Sequence, residues 1–145
     1  MDRTLRLQLI TLKGVKFDDN VYEVILPTLA GQIGVLPGHM PLISTATSGV
    51  IAVRRNEHDA DMQMEYFATD GGIIEVLNNE LHVLVDEADH AEDINQAEAE
   101  AAHERALKLK AEAKDQVSLE HAQALVDRTA TRLQVAGLKR RRPGR

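Results

Sequence analysis

Histidine is the residue type in this chain with the widest chemical use, because imidazole binds metals and transfers protons near neutral pH. None of the histidines stands four residues from another with an adjacent glutamate, which is the pattern of zinc hydrolases. Cysteine is absent, which removes thiol nucleophiles and cysteine-ligated metals. We therefore predict no metal site and no histidine-based catalytic centre, and we interpret His82 as a half-exposed strand residue. The histidines are His39, His58, His82, His90, His103 and His121.

Other catalytic patterns are missing as well. The chain has no Gly-x-Ser-x-Gly elbow, no phosphate loop and no dinucleotide-binding glycine motif. Paired carboxylates occur in the acidic residues 86–93, just before an expected helix, where negative charge is favourable. We interpret these acids as helix-capping and solvated groups, with a metal or ligand role as the alternative. Without a nucleophile and base in combination, the sequence predicts a non-catalytic protein.

The charge balance bears on the class of partner. The net charge is −6 and tryptophan is absent, whereas nucleic-acid binders carry basic patches, often with stacking aromatics. Residues 138–145 form a basic tail that we expect to be disordered, either solvated or in contact with an acidic partner. No apolar run approaches the ~20 residues of a membrane span, so we expect membrane association only through a partner.

The first part of the chain has the pattern of β-strands. Leu5, Leu7 and Leu9 alternate with polar residues, which indicates a half-buried strand. Asn78-Asn79-Glu80 predicts a tight hairpin, because asparagine tolerates positive φ. Turns are also predicted at residues 18–20 and 70–72, and a hairpin loop at 54–61. Short strands with turns at close spacing predict a β-sandwich or barrel. The other apolar runs lie at residues 21–26, 33–35, 50–53, 62–68, 73–77 and 81–85.

After residue 86 the composition shifts to alanine, glutamate and lysine, which favour helix. Small and apolar residues recur there at steps of three and four, which predicts two amphipathic helices. Asn95 and Glu98 have the spacing of a capping box, and Ser118 is the predicted N-cap of the second helix. The short link between the helices predicts an antiparallel hairpin. The two seams are Ala99, Ala102, Ala106, Leu109 and Ala113, then Leu119, Ala122, Val126, Thr129, Leu133 and Ala136.

An alanine seam removes little apolar area from water, so it stabilises a hairpin far less than a leucine seam would. We therefore expect the hairpin to be marginal alone and able to detach from the sandwich.

The segment from Pro27 to Pro41 is a second unusual feature, because its prolines and glycines specify the backbone closely. It is either a tight corner of the sandwich or a rigid docking edge.

The sequence Gly-Gln-Ile-Gly-Val-Leu-Pro-Gly-His-Met-Pro-Leu at residues 31–42 closely resembles the signature of the ε subunit family of bacterial F-type ATP synthases. Residues 21–28 resemble the strand before that signature, residues 67–76 the later hairpin, and residues 92–94 the junction between domains. The resemblance implies a ten-stranded β-sandwich at residues 1–88 and a regulatory two-helix hairpin at 89–137. It also implies a central-stalk protein at the cytoplasmic face of the cell membrane that couples proton-driven rotation to ATP synthesis. Its partners would be the γ subunit, the polar loops of the c-ring and, through a hairpin that suppresses ATP hydrolysis, the α/β catalytic subunits.

The family's contact and nucleotide positions carry over unevenly. Gln32 stands where the family usually has an acid that faces the c-ring, so hydrogen bonding is retained without charge. In the Ile/Leu-Asp-x-x-Arg-Ala motif, by which some members bind ATP, this chain has Asn95 for the acid and Glu98 for the arginine. Glutamate repels a triphosphate, so the resemblance implies no ATP binding and no other cofactor here. The expected contacts with γ are His39, Met40, Pro41 and Leu42, and the remaining positions similar to the ATP site are Asp89, Arg105, Arg128 and Arg132.

In the regulatory hairpin, Arg128 and Arg132 lie one turn apart. If the hairpin extends, these cations are placed to meet acidic patches on the catalytic subunits. The competing interpretation of the whole chain is a free-standing β-sandwich that binds a peptide or sugar and dimerises through its helical hairpin.

Overall fold

The fold was analysed in a computed structural model that describes residues 3–140, with only the backbone of Lys139 and Arg140. Ten strands precede two helices, in agreement with the predicted order of sandwich and hairpin. The strands are β1 (Leu5–Thr11), β2 (Gly14–Val21), β3 (Glu23–Thr28), β4 (Gly31–Val35), β5 (Leu42–Ala46), β6 (Gly49–Arg54), β7 (Glu65–Thr69), β8 (Gly72–Leu77), β9 (Glu80–Val85) and β10 (Ala88–His90). The helices are α1 (Gln96–Glu112) and α2 (Gln116–Arg140), and 3-10 turns lie at Asp61–Gln63 and Ala91–Asp93.

The strands form two five-stranded sheets that face each other. Sheet A has the order β2-β1-β9-β8-β5, and sheet B has the order β10-β7-β6-β3-β4. All described pairs are antiparallel except β1 with β9, which the sequence pattern did not predict. The alternating leucines of β1 point inward and are almost fully buried, as the period of two requires. The core between the sheets is completed by residues such as Phe67, Ile74 and Leu81.

Two turn predictions have different outcomes. Asn78 and Asn79 have φ of 52° and 63° between β8 and β9, so the predicted tight hairpin is confirmed. The turn predicted at residues 18–20 is wrong, because these residues lie within β2. β2 is an edge strand with only Phe17 and Val21 buried, and its exposed acids Asp18 and Asp19 pair with Arg6 and Arg55. A polar run therefore fits an edge strand whose charges have partners on neighbouring segments.

Gly72, at the start of β8, is required by close packing. A Cβ at this position would lie 2.0 Å from the carbonyl oxygen of Leu84, and the φ of Gly72 is 159°. No other residue type fits there without displacing the β8–β9 pairing. Where a turn was predicted at residues 70–72, residues 70 and 71 connect β7 to β8, and Gly72 already belongs to β8.

The ends of the helices confirm one predicted cap and correct the other. Asn95 accepts a hydrogen bond from the Glu98 N–H at 3.1 Å and caps α1. The N-cap of α2 is Asp115 rather than Ser118, since the Asp115 carboxylate accepts from the Ser118 N–H at 2.7 Å. That bond, with a second from the Ser118 hydroxyl, holds the pKa of Asp115 below its usual range. An aspartate at this position accepts hydrogen bonds from the same unpaired backbone N–H groups of the first turn as a serine would.

The expected domain limits after residues 88 and 137 remain predictions. A strand crosses the first limit and a helix crosses the second. The limit at residue 88 falls in β10, which pairs with β7 and so extends sheet B. Helix α2 runs to Arg140, so the first residues of the predicted disordered tail are helical. The rest of that tail, residues 141–145, lies outside the described residues.

The hairpin packs against the outer face of sheet B. A small apolar cluster joins Val135 and Ala136 of α2 to Ile94 and Ala68, at the entry to α1 and on β7. Within the hairpin, the predicted seam is buried at only some of its alanines, and Leu109 is 50% exposed. The buried seam alanines are Ala99, Ala106, Ala122 and Ala136, whereas Ala102 and Ala113 are half-buried. The contact with the sandwich therefore depends on the start of α1 and the C-terminal part of α2.

Candidate docking surface and hairpin contact

The signature segment connects the two sheets and forms two separate projections. β4 is an edge strand of sheet B, and the chain then turns through residues 36–41 into β5, the edge strand of sheet A. Gln32 is exposed near one end of β4, beside Leu29, which is 84% exposed. His39 and Met40 follow the other end of β4, which lies about 10 Å from Gln32 along the strand. The predicted contact residues thus form two groups rather than one.

The docking turn, residues 36–41, exposes an apolar side chain on a well-defined backbone. Met40 is 72% exposed and Pro41 is exposed, whereas Leu42 packs partly into the core. The His39 ring nitrogen Nδ1 lies 2.7 Å from the carbonyl oxygen of Met40. Of the predicted contacts, Met40 and Pro41 are therefore available to a partner, and Leu42 anchors the segment.

The outer face of sheet A carries an apolar stripe that sequence reasoning missed, toward the end of the strands away from the docking turn. Ile73 of β8 faces Leu84 of β9, Leu84 faces Ile10 of β1, and Ile10 faces Val15 of β2. Val15 is 59%, Ile73 53% and Leu84 45% exposed. The signal was in the sequence, because Leu9-Ile10, Ile73-Ile74 and Leu84-Val85 place apolar residues at consecutive positions. A strand of period two must then turn one residue of each pair outward.

The apolar stripe lies on the face of the sandwich opposite the hairpin. Helix α2 contacts β6 and β7, which belong to sheet B. Exposed apolar surface that extends across several strands marks an interaction site rather than scattered surface residues. We define the docking surface as the apolar stripe together with the docking turn.

The hairpin is held to the sandwich by two ion pairs next to its apolar cluster. Nη2 of Arg128 lies 2.6 Å from Oε2 of Glu87, and Arg132 pairs with Asp89. The carboxylates flank Ala88 at the start of β10, and the arginines lie one turn apart on α2. All four side chains are about a third or more exposed, so each pair contributes modestly and is screened by salt.

The structure brings the residues similar to the family's ATP site to one region. Asp89, Arg128 and Arg132 line a polar groove of about 190 Å³ between the sandwich and α2, together with Lys13 and Lys16. Arg105 lines an adjoining interhelical groove of about 310 Å³ that Arg128 and Arg132 also reach.

The two departures from the nucleotide motif have local roles. Asn95 is occupied as the cap of α1, and the Glu98 side chain is exposed on the first turn. A carboxylate there adds negative charge at a helix N-terminus, which is favourable for the helix and unfavourable for a triphosphate. Arg128 and Arg132 already have carboxylate partners in this arrangement. In this arrangement the two arginines therefore connect α2 to the sandwich.

His90 has a structural role at the junction between sandwich and hairpin that sequence reasoning missed. Its Nδ1 accepts from the Glu92 N–H at 3.0 Å, and its Nε2 lies 3.3 Å from Oε1 of Glu65. The His90 bond, with a second from Arg55, lowers the pKa of Glu65 to about 2. The His90 ring also packs edge-to-face on Phe67 at 4.9 Å between centroids. No group of three or more potential metal ligands is found within the described part of the chain.

None of the helices in the described range is long and apolar enough to cross a membrane. A family model for the β-sandwich domain of the ATP synthase delta/epsilon chain matches residues 4–91.

Among curated relatives, the ATP synthase epsilon chain of Synechococcus elongatus is 39% identical over 92% of this chain and 96% of its own. That of Staphylococcus aureus is 33% identical over 94% of this chain and 98% of its own. A chain in the Euglena gracilis mitochondrial ATP synthase (OSCP/F1/c-ring) has a TM-score of 0.78 at 20% identity, covering 94% of this chain and 82% of that one. The Euglena similarity concerns the fold.

Proposed function

Because the chain belongs to the ATP synthase delta/epsilon family, we propose that it is the non-catalytic ε-type subunit in the central stalk of a proton-driven F-type ATP synthase. In this role it couples rotation to ATP synthesis while other subunits perform catalysis. It is held at the cytoplasmic face of the cell membrane through its partners. The observation that carries the proposal is the docking surface, which combines an exposed apolar stripe on sheet A with a closely specified turn at the other end of the same sheet.

The docking surface is assigned to the γ subunit. Its apolar stripe offers several half-exposed aliphatic side chains across four strands, and Met40 offers a separate exposed apolar side chain at the end of the sheet where the docking turn lies. Apolar area of this kind is stabilised by burial at about 25 cal/mol per Å². The separate projection around Gln32 is assigned to the polar loops of the c-ring. Because glutamine is uncharged, that contact rests on hydrogen bonds and changes little with salt.

The hairpin is assigned a regulatory role. Packed against sheet B, it is held by a small apolar cluster and two partly exposed ion pairs, which are weak enough to exchange for other contacts. On release, Arg128 and Arg132 are free to pair with acidic patches on the α/β catalytic subunits. In that extended position the hairpin inhibits ATP hydrolysis.

We propose that bound nucleotide is not what holds this hairpin against the sandwich. The geometry that supports this proposal is the pairing of both arginines with carboxylates and the exposure of Glu98 at the start of α1. In this chain the carboxylates of Glu87 and Asp89 pair with the two arginines, whereas in the members that bind ATP the anion is the triphosphate. We therefore infer that the hairpin is held down without a cofactor.

The docking assignment is tested by co-purification with the γ subunit. Replacement of Ile73 and Leu84 by serine removes two adjacent members of the apolar stripe but leaves the buried face of each strand intact. We expect recovery with γ to fall at least about tenfold, because both side chains are desolvated in the complex. Glu75→Ser, on the same face of β8, is the matched control and keeps binding. Equal recovery of the double variant and the control would reject this surface as the γ contact.

A further inference from the structure

The tip of the docking turn is a β-turn whose geometry needs an explanation. The His39 N–H donates to the carbonyl oxygen of Leu36 at 3.1 Å, which closes a four-residue turn. Pro37 occupies its second position, and Gly38, with φ of 80°, occupies its third. Proline followed by a residue of positive φ is the pattern of a type II turn.

The residues of this turn favour type II, with proline at the second position and glycine at the third, but they do not exclude type I. Types I and II differ by a flip of the central peptide, here the bond between Pro37 and Gly38, and the φ of proline suits the second position of both. Glycine adopts positive and negative φ about equally well. A contact from outside the turn can therefore add to this preference and fix the direction of the Gly38 N–H.

Asn79 supplies that constraint from the hairpin between β8 and β9. Its Oδ1 accepts from the Gly38 N–H at 2.9 Å, across 41 positions of the sequence. Flipping the central peptide would turn this N–H away from the amide, so the bond exists only in the type II form.

Asn79 is itself held in place by two further hydrogen bonds, one of its side chain and one of its backbone. Its Nδ2 donates to the carbonyl oxygen of Thr4 at 2.8 Å, and its backbone carbonyl accepts from the Arg6 N–H at 3.1 Å. Both bonds tie it to the beginning of β1, in the middle of sheet A. The acceptor for Gly38 is therefore fixed relative to the sheet that carries the apolar stripe.

We propose that Asn79 is the positioning residue of the docking surface, because it selects the type II form of the turn and fixes the turn relative to sheet A. It makes this contribution without belonging to the apolar stripe. The structural part of the proposal stands alone, and its consequence for binding rests on the proposed function. Fixing the central peptide also fixes where the chain delivers Met40, two residues further on.

The structural part is tested by nuclear Overhauser effects in the full-length chain. The distance between Hα of Pro37 and the Gly38 amide proton is short in type II turns and longer in type I. Asn79→Gly keeps the positive φ but removes the amide, and we expect a two- to tenfold shift, roughly, toward type I, the worth of one hydrogen bond. Asn79→Asp keeps an acceptor for Gly38 and should keep the type II signal.

Asn78→Gly is the matched control, because it changes the other positive-φ residue of the same hairpin and leaves the Asn79 amide in place. Unchanged type II intensity in Asn79→Gly would overturn the proposal, as would equal loss in Asn78→Gly. Thermal melting of each variant confirms that the sandwich stays folded while the turn is compared.

Titration of the same variants with the γ subunit tests the consequence. We expect Asn79→Gly to weaken binding several-fold and the control to bind as the unaltered chain does. If the turn shifts to type I but affinity for γ is unchanged, the role of Asn79 in docking is wrong while its control of the turn stands. If the unaltered chain does not bind γ, the proposed function fails instead.

Discussion

At the scale of single residues, the strongest electrostatic coupling lies at the junction of the two domains. Glu65 accepts from His90 and from Arg55, whose Nε lies 2.5 Å from Oε2 of Glu65. Arg55 continues to Asp19 on β2 and lies over the Phe17 ring. One carboxylate thus connects sheet A, sheet B and the segment that leads into the hairpin.

This coupling predicts a pH-dependent share of the stability. The pKa of Glu65 is about 2 in the folded chain against an ordinary value of 4.5. Because the folded-state value is lower, ionised Glu65 stabilises the fold above about pH 4.5, and this contribution is lost as the pH falls toward 2. We expect Glu65→Gln to lower the free energy of unfolding at pH 7 by about 2 kcal/mol, since the side chain is only 19% exposed.

Urea denaturation at several pH values measures this difference. The gap between the unaltered chain and Glu65→Gln should narrow as the pH is lowered from 5 toward 2. Glu57→Gln changes an exposed carboxylate of the β6–β7 connection and serves as the control, with little effect at any pH. A gap that stays constant over this range would mean that ionisation of Glu65 is not its source.

Whether the chain binds ATP also depends on single residues. Calorimetric titration of the chain with ATP should give no binding heat at micromolar concentrations, since Glu98 adds negative charge and Arg128 and Arg132 are paired. Asn95→Asp with Glu98→Arg restores both motif residues, and aspartate also caps a helix, so α1 should be retained. Micromolar binding by the unaltered chain would contradict the ligand-free latch.

At the scale of elements, the sequence predicted what depends on local periodicity. The inward leucines of β1, the asparagine hairpin and the Asn95 cap could all be predicted, because each depends on a few neighbouring residues of the sequence. β2 was missed because its acids resemble turn residues, and their partners Arg6 and Arg55 come from other segments. The parallel pairing of β1 with β9 is non-local and leaves no periodic mark.

The candidate site was predictable only in part for the same reason. The signature identified Met40 and Pro41, but Asn79 lies 41 positions from the turn that it orients. Likewise, residues Glu87 and Asp89 looked like helix-capping acids, whereas they pair with α2. Contacts between distant segments determine these roles, and a single sequence does not record them.

The attachment of α2 to the sandwich should respond to salt. Each partly exposed ion pair contributes about 0.2–1 kcal/mol, so Arg128→Gln with Arg132→Gln should raise amide exchange in residues 128–136 about three- to tenfold at low salt. Salt should raise exchange in the unaltered chain and have little effect in the double variant.

Arg105→Gln is the matched control for this experiment. Arg105 lines the neighbouring interhelical groove and has no ion pair to the sandwich among the described side chains. Its replacement should leave exchange in residues 128–136 unchanged. If it raised exchange as much as the double variant, loss of cationic charge on the hairpin, rather than the two ion pairs, would be responsible.

At the scale of the whole molecule, the sandwich and the hairpin have different surfaces, which supports the different tasks proposed for them. The sandwich has a large dry core and presents the docking surface on sheet A, so it is suited to permanent attachment. The hairpin is joined to sheet B by the small cluster around Ile94 and Val135 and by screened charges. Its release leaves the sandwich core intact, which separates attachment from regulation.

The regulatory role can be tested by locking the hairpin in place. The sequence has no cysteine, so Glu87→Cys and Arg128→Cys introduce the only thiols of this subunit, at positions whose native side chains meet. A short bis-maleimide should join them and replace the ion pair by a covalent bridge. Because a locked hairpin cannot reach the catalytic subunits, the assembled enzyme should hydrolyse ATP faster after cross-linking, with ATP synthesis retained. The single variants treated with the same reagent control for modification, and equal hydrolysis with and without the bridge would show that this hairpin is not an inhibitor.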